Sequence, residues 1–315
     1  MLKRSYRNSN IFFILFLITL IIILFLYKKQ KTITLIEILK NDKVIFIGGV
    51  PRSGTTLMRV LLDSHSDVRC GGETRVIPYI LSTLTFWERK SNKKMLDEAG
   101  VSRSVLNDAV GSFISEVMIK HGDKANIYCN KDPLNMSYGG RLKEMFPNGK
   151  FILLIRDGRA SVHSIMSRKV PVVGFSWHNQ TKSLIAWNDM IDKMVLQCTY
   201  IGKDSCLMVH YERLVIFPKE ELMRITEFLN IKWEENLLHH EEFIGSEIKL
   251  IKDEWSTDQV KKSINLDALY KWSNFFNLSI IQNINTIAPM LKNLGYPTDT
   301  TYPDYVSLKR RDLYV

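Results

Sequence analysis

An α/β domain built on a mostly parallel sheet flanked by helices is what this sequence predicts, and three observations carry the prediction. Short apolar runs recur at Val44–Ile47, Phe151–Ile155 and Cys206–Tyr211, bounded by turn-forming or charged residues. Between the last two lies a long segment whose apolar residues keep helical spacing: Leu184, Trp187, Ile191, Met194, Val195 and Cys198. Strands alternating with helices are the pattern of a parallel sheet. The third observation is the passage from Val44 to Arg59, where a strand runs through Gly48, Gly49 and Pro51 into helical spacing from Thr55. Such a turn points backbone N–H groups and the positive end of a helix at one place, which suits an anion.

The chain begins with basic residues around an apolar run. Ile11 to Tyr27 has Thr19 as its only interior polar side chain. As a helix it would span about 25 Å, slightly less than an average bilayer core and close to a thin one. Tyr-Lys-Lys-Gln follows in place of a small-residue cleavage site, so an uncleaved signal anchor is expected rather than a signal peptide. Lysines and arginines are balanced on its two sides, and charge does not orient it. The expected organisation is a cytosolic tail at 1–10, an anchor at 11–27, a short stem at 28–42, a lumenal domain at 43–300 and a C-terminal tail at 301–315. The formal charge of +10 is inflated by this start, because residues 1–31 hold six Lys/Arg and no acid. The remainder is only mildly basic, compatible with anionic ligands, and it carries no nucleic-acid footprint.

In the glycine turn, Gly49-x4-Gly54-Thr55-Thr56 has the spacing of a nucleotide P-loop. Thr55 stands where that motif has Lys, and Arg52 supplies the positive charge instead. An ordinary Mg-dependent NTPase is thereby disfavoured, while a ligand-free Gly-rich turn remains open from the loop alone. Val68 to Arg75 is too rich in glycine for a helix and presents Glu73 and Arg75 on an irregular loop. Helical spacing resumes from Ile77 to Trp87. From Ser102 apolar pairs recur every four residues as far as Met118, an amphipathic helix capped by Ser102 and stopped by Gly122. Ile127 to Lys131 reads as a short strand. After Phe151–Ile155 come Arg156, a turn glycine and a helix carrying Ser164 and Arg168. Arg52, Lys131, Arg156 and Tyr211 thus all fall at carboxyl ends of strands, where open sheets of this kind bind ligands. Residues 254–265 form a polar loop, and helical segments are expected from about Leu266 and Ile280.

The cysteines (70, 129, 198 and 206) are even in number and contain no C-x-x-C, so a zinc or thioredoxin site is a poor reading. Four cysteines allow three pairings. Cys198 with Cys206 is the local choice, leaving Cys70 with Cys129; four buried thiols is the alternative for a cytosolic domain. Asn135, Asn179 and Asn277 each begin an N-glycosylation sequon. Sequons and disulfides both place the domain on the lumenal side. No cluster of metal-ligand spacing is present.

Gly-Gly-Val-Pro-Arg-Ser-Gly-Thr-Thr-Leu, Cys-Gly-Gly-Glu-Thr-Arg, Cys-Asn-Lys-Asp-Pro, Arg-Asp-Gly-Arg-Ala-Ser-Val-His-Ser and Ser-Thr-Asp-Gln-Val occur in this order between about Val44 and Pro297. Together they resemble the tyrosylprotein sulfotransferases. The resemblance implies a P-loop-type sulfotransferase fold and a homodimeric type II Golgi membrane enzyme. The activity it implies is sulfation of tyrosines in secreted and membrane proteins, within acidic segments, from 3′-phosphoadenylyl sulfate (PAPS) and without a metal. Position by position, it implies that Arg52, Ser53, Gly54, Thr55 and Thr56 hold the donor's 5′-phosphosulfate. Arg156 and Ser164 would take the 3′-phosphate. Arg168, Tyr211, Lys271 and the loop Ser256, Thr257, Asp258, Gln259, Val260, Lys261, Lys262, Ser263, Ile264 and Asn265 would complete the donor site. Glu73 matches the general base, Arg52, Lys131 and Ser256 the groups that stabilise the transition state. Arg75, Val76, Ile77, Pro78 and Tyr79 match the peptide-contacting segment. The family pairs Cys70 with Cys129 and Cys198 with Cys206. Gly72 departs from a frequent Glu, Ser263 from a frequent Pro, and the C-terminal tail is short. The competing readings are a carbohydrate sulfotransferase using the same donor and an anchored, inactive nucleotide-binding module.

The chemistry suits those roles. A tyrosine hydroxyl has a pKa near 10 and is a poor nucleophile at neutral pH until a carboxylate removes its proton. Fixed cations can stabilise the negative charge on the transferred group and its leaving group.

Overall fold

The computed structural model describes residues 13–28, 43–251, 260–264 and 266–309. Within them a five-stranded, wholly parallel sheet has the order β2-β3-β1-β4-β5. Its strands are β1 (Val44–Gly49), β2 (Val68–Arg69), β3 (Ile127–Lys131), β4 (Lys150–Ile155) and β5 (Cys206–His210). A parallel strand is covered on both faces, which is why these runs are continuously apolar. Period-2 alternation then divides them. Val44, Phe46, Phe151, Leu153, Ile155 and Met208 face one core; Ile45, Ile47, Ile152, Leu154 and Val209 face the other.

Helix α1 covers 13–28, and its large apolar side chains from Phe13 to Tyr27 are exposed. Among the described residues no helix is long and apolar enough to cross a membrane, so the span expected at 11–27 is not shown. The expected tail at 1–10 and nearly all of the stem lie outside the described residues.

Helix α2 (Thr55–Asp63) covers the second face through Met58, Leu61 and Leu62. The first face takes α3 (Val76–Trp87) and, after the polar α4 (Lys90–Glu98), α5 (Arg103–Lys120). Ser102 caps α5 by accepting the Val105 amide, and the chain turns at Gly122 with φ 101°. Three more helices pack on that face: α6 (Gly139–Met145), α7 (Gly158–Ser167) and α8 (Gln180–Ile201). The buried apolar face of α8 consists of the six residues its periodicity predicts. Two helices after β5, α9 (Tyr211–Ile216) and α10 (Pro218–Leu229), return to the second face through Leu214, Leu222, Ile225 and Leu229. Connections from β1 and from β3 therefore leave toward opposite sides of the sheet. The crevice at the carboxyl end of β1 is the switch point where ligands bind in such folds.

Several expectations need correction. Gly48 and Gly49 belong to the strand and not to the turn; they pair with Leu153 and Leu154 inside the sheet. Their role is close approach, since a Cβ on Gly48 would lie 2.8 Å from Met136 and one on Gly49 2.4 Å from the Leu154 carbonyl. The glycine-rich segment after α2 contributes the edge strand β2. Tyr211 opens α9 rather than ending β5. Residues 266–276 form turns instead of a helix, with i+3 backbone bonds such as Ser273 to Tyr270 and Phe275 to Trp272. The helical segment expected near Ile280 is two short pieces, Leu278–Gln282 and Ile284–Ile287.

The boundary at residue 300 is also too early. Tyr305 is fully buried and Leu308 nearly so. Tyr305 donates to Asp157 Oδ2 at 2.9 Å, and Tyr296 donates to Glu212 Oε1's partner oxygen Oε2 at 2.8 Å. Arg159 grips Asp157 with two nitrogens and donates to the carbonyls of Pro297 and Thr300. The segment 296–308 is thus fastened to the β4–α7 junction beside Arg156.

Both expected disulfides are present, Cys70–Cys129 and Cys198–Cys206. Asn179 and Asn277 are exposed, whereas Asn135 is fully buried and donates to Asn130 Oδ1 at 2.7 Å. The folded domain has no room for a glycan at Asn135.

Candidate active site

The loop between β1 and α2 holds Arg52 in the left-handed region, φ 74°, a conformation that costs a non-glycine residue on the order of 1 kcal/mol or more. Two contacts fix it there. Arg52 Nε donates to Ser164 Oγ at 3.1 Å, and Arg156 Nη1 donates to the Arg52 carbonyl at 2.9 Å. Gly54, φ 101°, meets Tyr211 so closely that a Cβ would lie 2.5 Å from its ring. Arg156 stacks over the other part of this wall, its guanidinium 4.5 Å from the Tyr211 ring centre, and also donates to the Ala268 carbonyl.

Arg52, Gly54, Arg156 and Tyr211 line a cavity of about 290 Å³ together with Thr56, Arg168, Val260, Lys262, Ser263, Ile264 and Lys271, while Ser164 stands behind Arg52 outside the lining. Burial, then the charges of Arg168 and Arg156, lower the Arg52 pKa to about 10, so it stays a cation at neutral pH. Arg156 Nε is buried and has no hydrogen-bond partner among the described residues. A cavity with five cationic side chains and an orphaned guanidinium nitrogen is built for a polyanion. Leu57, Val215, Asp267 and Ala268 also line it and carried no signal in the sequence.

A second cleft, about 300 Å³, opens on the other side of the same loop. Arg52 and Thr56 line both. Glu73 faces this cleft between two cations: Lys131 Nζ donates to Oε2 at 2.6 Å and Arg75 Nε to Oε1 at 3.1 Å. Lys131 is fully buried at the end of β3 and also donates to Thr56 Oγ1 at 3.4 Å. Burial pushes the Glu73 carboxyl up, but Lys131 and then Arg75 outweigh it and hold the group below the ordinary glutamate range. Arg75 has φ 60°, so the two arginines at this site are both held in left-handed backbone.

Of the expected peptide segment, Arg75, Pro78 and Tyr79 line the cleft. Ile77 does not, because it is wholly buried in the core beneath α3, and Val76 is exposed away from the lining. Thr55 belongs to this second cleft, Ser53 is buried behind the loop, and Lys261 lines neither cavity. Ser256, Thr257, Asp258, Gln259 and Asn265 lie outside the described residues. The opposite wall, Val170 to Val173 after α7, was not foreseen. Its signal was an apolar run interrupted by Pro171 and ended by Gly174, which leaves Val173 95% exposed. Gly72, the departure noted above, packs against Ile251, and a Cβ there would meet that side chain at 2.3 Å. Among the described residues no group of three His, Cys, Asp or Glu could hold a metal ion.

A model of the sulfotransferase family matches residues 44–235. Protein-tyrosine sulfotransferase A of Caenorhabditis elegans is 51% identical over 268 residues, covering 84% of this chain and 70% of that protein. Protein-tyrosine sulfotransferase 1 of Danio rerio is 49% identical over 269 residues, covering 84% of this chain and 76% of its own. In fold, the chain is similar to the sulfotransferase domain from the curacin biosynthetic pathway, with a TM-score of 0.56 at 19% identity, over 81% of this chain and 98% of that one. The sulfotransferase domain of the Synechococcus PCC 7002 olefin synthase gives 0.54 at 20% identity, over 80% and 95%. With its cationic cavity and buried Lys131–Glu73 pair set at the strand ends of that fold, the chain belongs to the sulfotransferase family, among its protein-tyrosine sulfotransferases.

Proposed function

We propose that the enzyme takes its sulfuryl group from 3′-phosphoadenylyl sulfate, bound in the cationic cavity, and delivers it to a tyrosine hydroxyl in the cleft beyond Arg52 and Thr56. The observation that carries this reading is the position of Arg52 and Thr56 on both cavities, with Lys131–Glu73 beside them. Donor and acceptor enter from opposite sides, as an in-line transfer requires. The orphaned Arg156 Nε and the cations Arg168, Lys262 and Lys271 fit the donor's phosphates. Ser164 fixes Arg52, and Tyr211 with Gly54 forms a flat wall.

Glu73 removes the phenolic proton as the tyrosine oxygen bonds to sulfur and the bond from sulfur to the donor's phosphate oxygen breaks. Arg52 and Lys131 stabilise the charge that collects on the transferred group and the departing phosphate, with Ser256 assigned to the same task from the family motif. Arg75, half exposed at the mouth, suits acceptor segments rich in acidic residues. The same reading makes the enzyme a homodimer and a type II Golgi membrane protein. Support for the compartment comes from two disulfides, exposed sequons at Asn179 and Asn277, and the bare apolar surface of α1.

Purified enzyme incubated with sulfur-labelled donor, acidic tyrosine peptides and, separately, glycan acceptors tests the assignment. Label is expected on tyrosine. Transfer to sugar hydroxyls alone favours the carbohydrate enzyme, and no transfer with intact donor binding favours the inactive module.

A further inference from the structure

The acceptor cleft contains a carboxyl group for which the reaction above has no use. Asp132 is buried on the turn after β3 and lines the cleft with Glu73, Arg75, Tyr79 and Leu134. Its Oδ1 accepts the Leu134 amide at 3.1 Å and so caps the turn Pro133–Tyr138. A cap needs one oxygen, and Ser or Asn would supply it equally well. The second oxygen, Oδ2, is buried and has no hydrogen-bond partner among the described residues. Leaving a buried polar atom unsatisfied is costly, and in a binding cleft the partner is supplied by what fills it.

We infer that Asp132 is a specificity-determining residue of the acceptor cleft, its Oδ2 forming a hydrogen bond to the acceptor segment that enters beside Glu73. The inference rests on the reading of this cleft as the acceptor site. Around Asp132 stand Glu73 and Arg75 from the loop before α3, Tyr79 from α3, Lys131 on its own strand and Arg52 across the cleft. Tyr138 is on its own turn, with Lys193 of α8 over that ring. Burial, followed by the charge of Glu73, pushes the Asp132 carboxyl up to about 7 against the pull of the Leu134 N–H, Lys131 and Arg75. Protonated, Asp132 donates from Oδ2 and adds no charge. Ionised, it sets a second carboxylate beside Glu73 and repels an acidic segment. Acceptor affinity therefore falls as pH rises through about 7.

The test is the acceptor KM of the intact enzyme for one N-acetylated acidic tyrosine peptide at saturating donor, from about pH 5.5 to about pH 8. If only the protonated form binds well, the wild-type KM rises about tenfold over that range. Asp132→Asn carries a permanent N–H donor in the same place and keeps the cap, so its KM is expected to be flat with pH. Asp132→Ala loses the donor without gaining a charge, so its KM is raised at low pH, where the wild-type carboxyl is protonated, and is flat with pH. A flat wild-type KM overturns the inference, and that measurement needs no variant to fold. It is also overturned by an Asp132→Asn enzyme that keeps the wild-type slope, or one whose defect lies in kcat. A wild-type enzyme that sulfates no tyrosine peptide at any pH is a different result, which removes the reading of the cleft and this inference with it.

Discussion

Lys131 Nζ and Glu73 Oε2 lie 2.6 Å apart, the lysine sealed from solvent and the carboxylate open to the cleft. The pairing gives each group two duties. The cation keeps its neighbour ionised despite burial, and the carboxylate keeps a buried ammonium from standing alone. The carboxylate's open face is the one presented to the acceptor hydroxyl.

Glu73→Gln preserves shape and removes the base. The expected result is a fall in kcat of about two orders of magnitude or more, with a much smaller change in acceptor KM. Steady-state kinetics on one acidic peptide, with calorimetry of donor-product binding, checks it. An exposed partner of Arg75 with no catalytic duty would instead change mainly KM.

Lys131→Met removes the cation that opposes burial at Glu73. In the wild type the base is held below the usual glutamate range, so it stays ionised and the acid limb of kcat/KM falls at low pH. Without Lys131 the burial effect is less opposed, the Glu73 pKa rises, and the acid limb moves to higher pH. The pH profile of the two enzymes measures this shift. The absolute rate should fall as well, since a transition-state cation is lost.

Cys70 and Cys129 lie three and two residues before Glu73 and Lys131, so their disulfide ties the two halves of the ion pair across the β2–β3 edge. Replacing both with Ser is expected to cost about 2–4 kcal/mol of stability. The kcat should fall more than donor affinity does, because the base and cation lose their common anchor while the donor cavity does not. Thermal melting and single-turnover kinetics separate the two effects.

How much of this was legible depended on what each residue's signal competes with. Val44–Ile47, Phe151–Ile155 and the run after Cys206 announced strands because both their faces are buried. Arg156 directly after the second run, with Arg52 and Tyr211 just beyond the other two, then marked the site. Strand β2 is two residues held by pairing with Ile127 and Tyr128, which no local pattern encodes. Helix α4 has no buried residue and hence no periodic stripe. Leu269, Trp272 and Phe276 imitate helical spacing while burying side chains from successive turns. Tyr305 looked like part of a tail because its partner, Asp157, is distant in sequence.

His210 offers a stability test away from the chemistry. It is buried at the end of β5, its Nε2 donating to the Leu294 carbonyl at 3.1 Å. Burial lowers its pKa to about 4, only partly opposed by that bond. Between the ordinary histidine value and about 4 the unfolded chain takes up a proton that the native state refuses. Stability from this group is thus complete above about 6.5 and lost as pH falls through about 4, up to about 3 kcal/mol. Glu212, raised to about 7 by burial, acts in the opposite direction. The difference between the melting profiles of wild type and His210→Gln isolates the histidine: the variant should lose less stability on acidification.

Ribosomes deliver a chain from its amino end, and domains settle as their parts emerge. The strand ends that supply Arg52, Lys131, Arg156 and Tyr211 are all made by the time Tyr211 is joined. Asp157 and Arg159, next to Arg156, still lack Tyr305 and the carbonyls of Pro297 and Thr300. The nascent enzyme therefore remains unfinished at its donor side until the segment ending near Leu308 has been released to fold back.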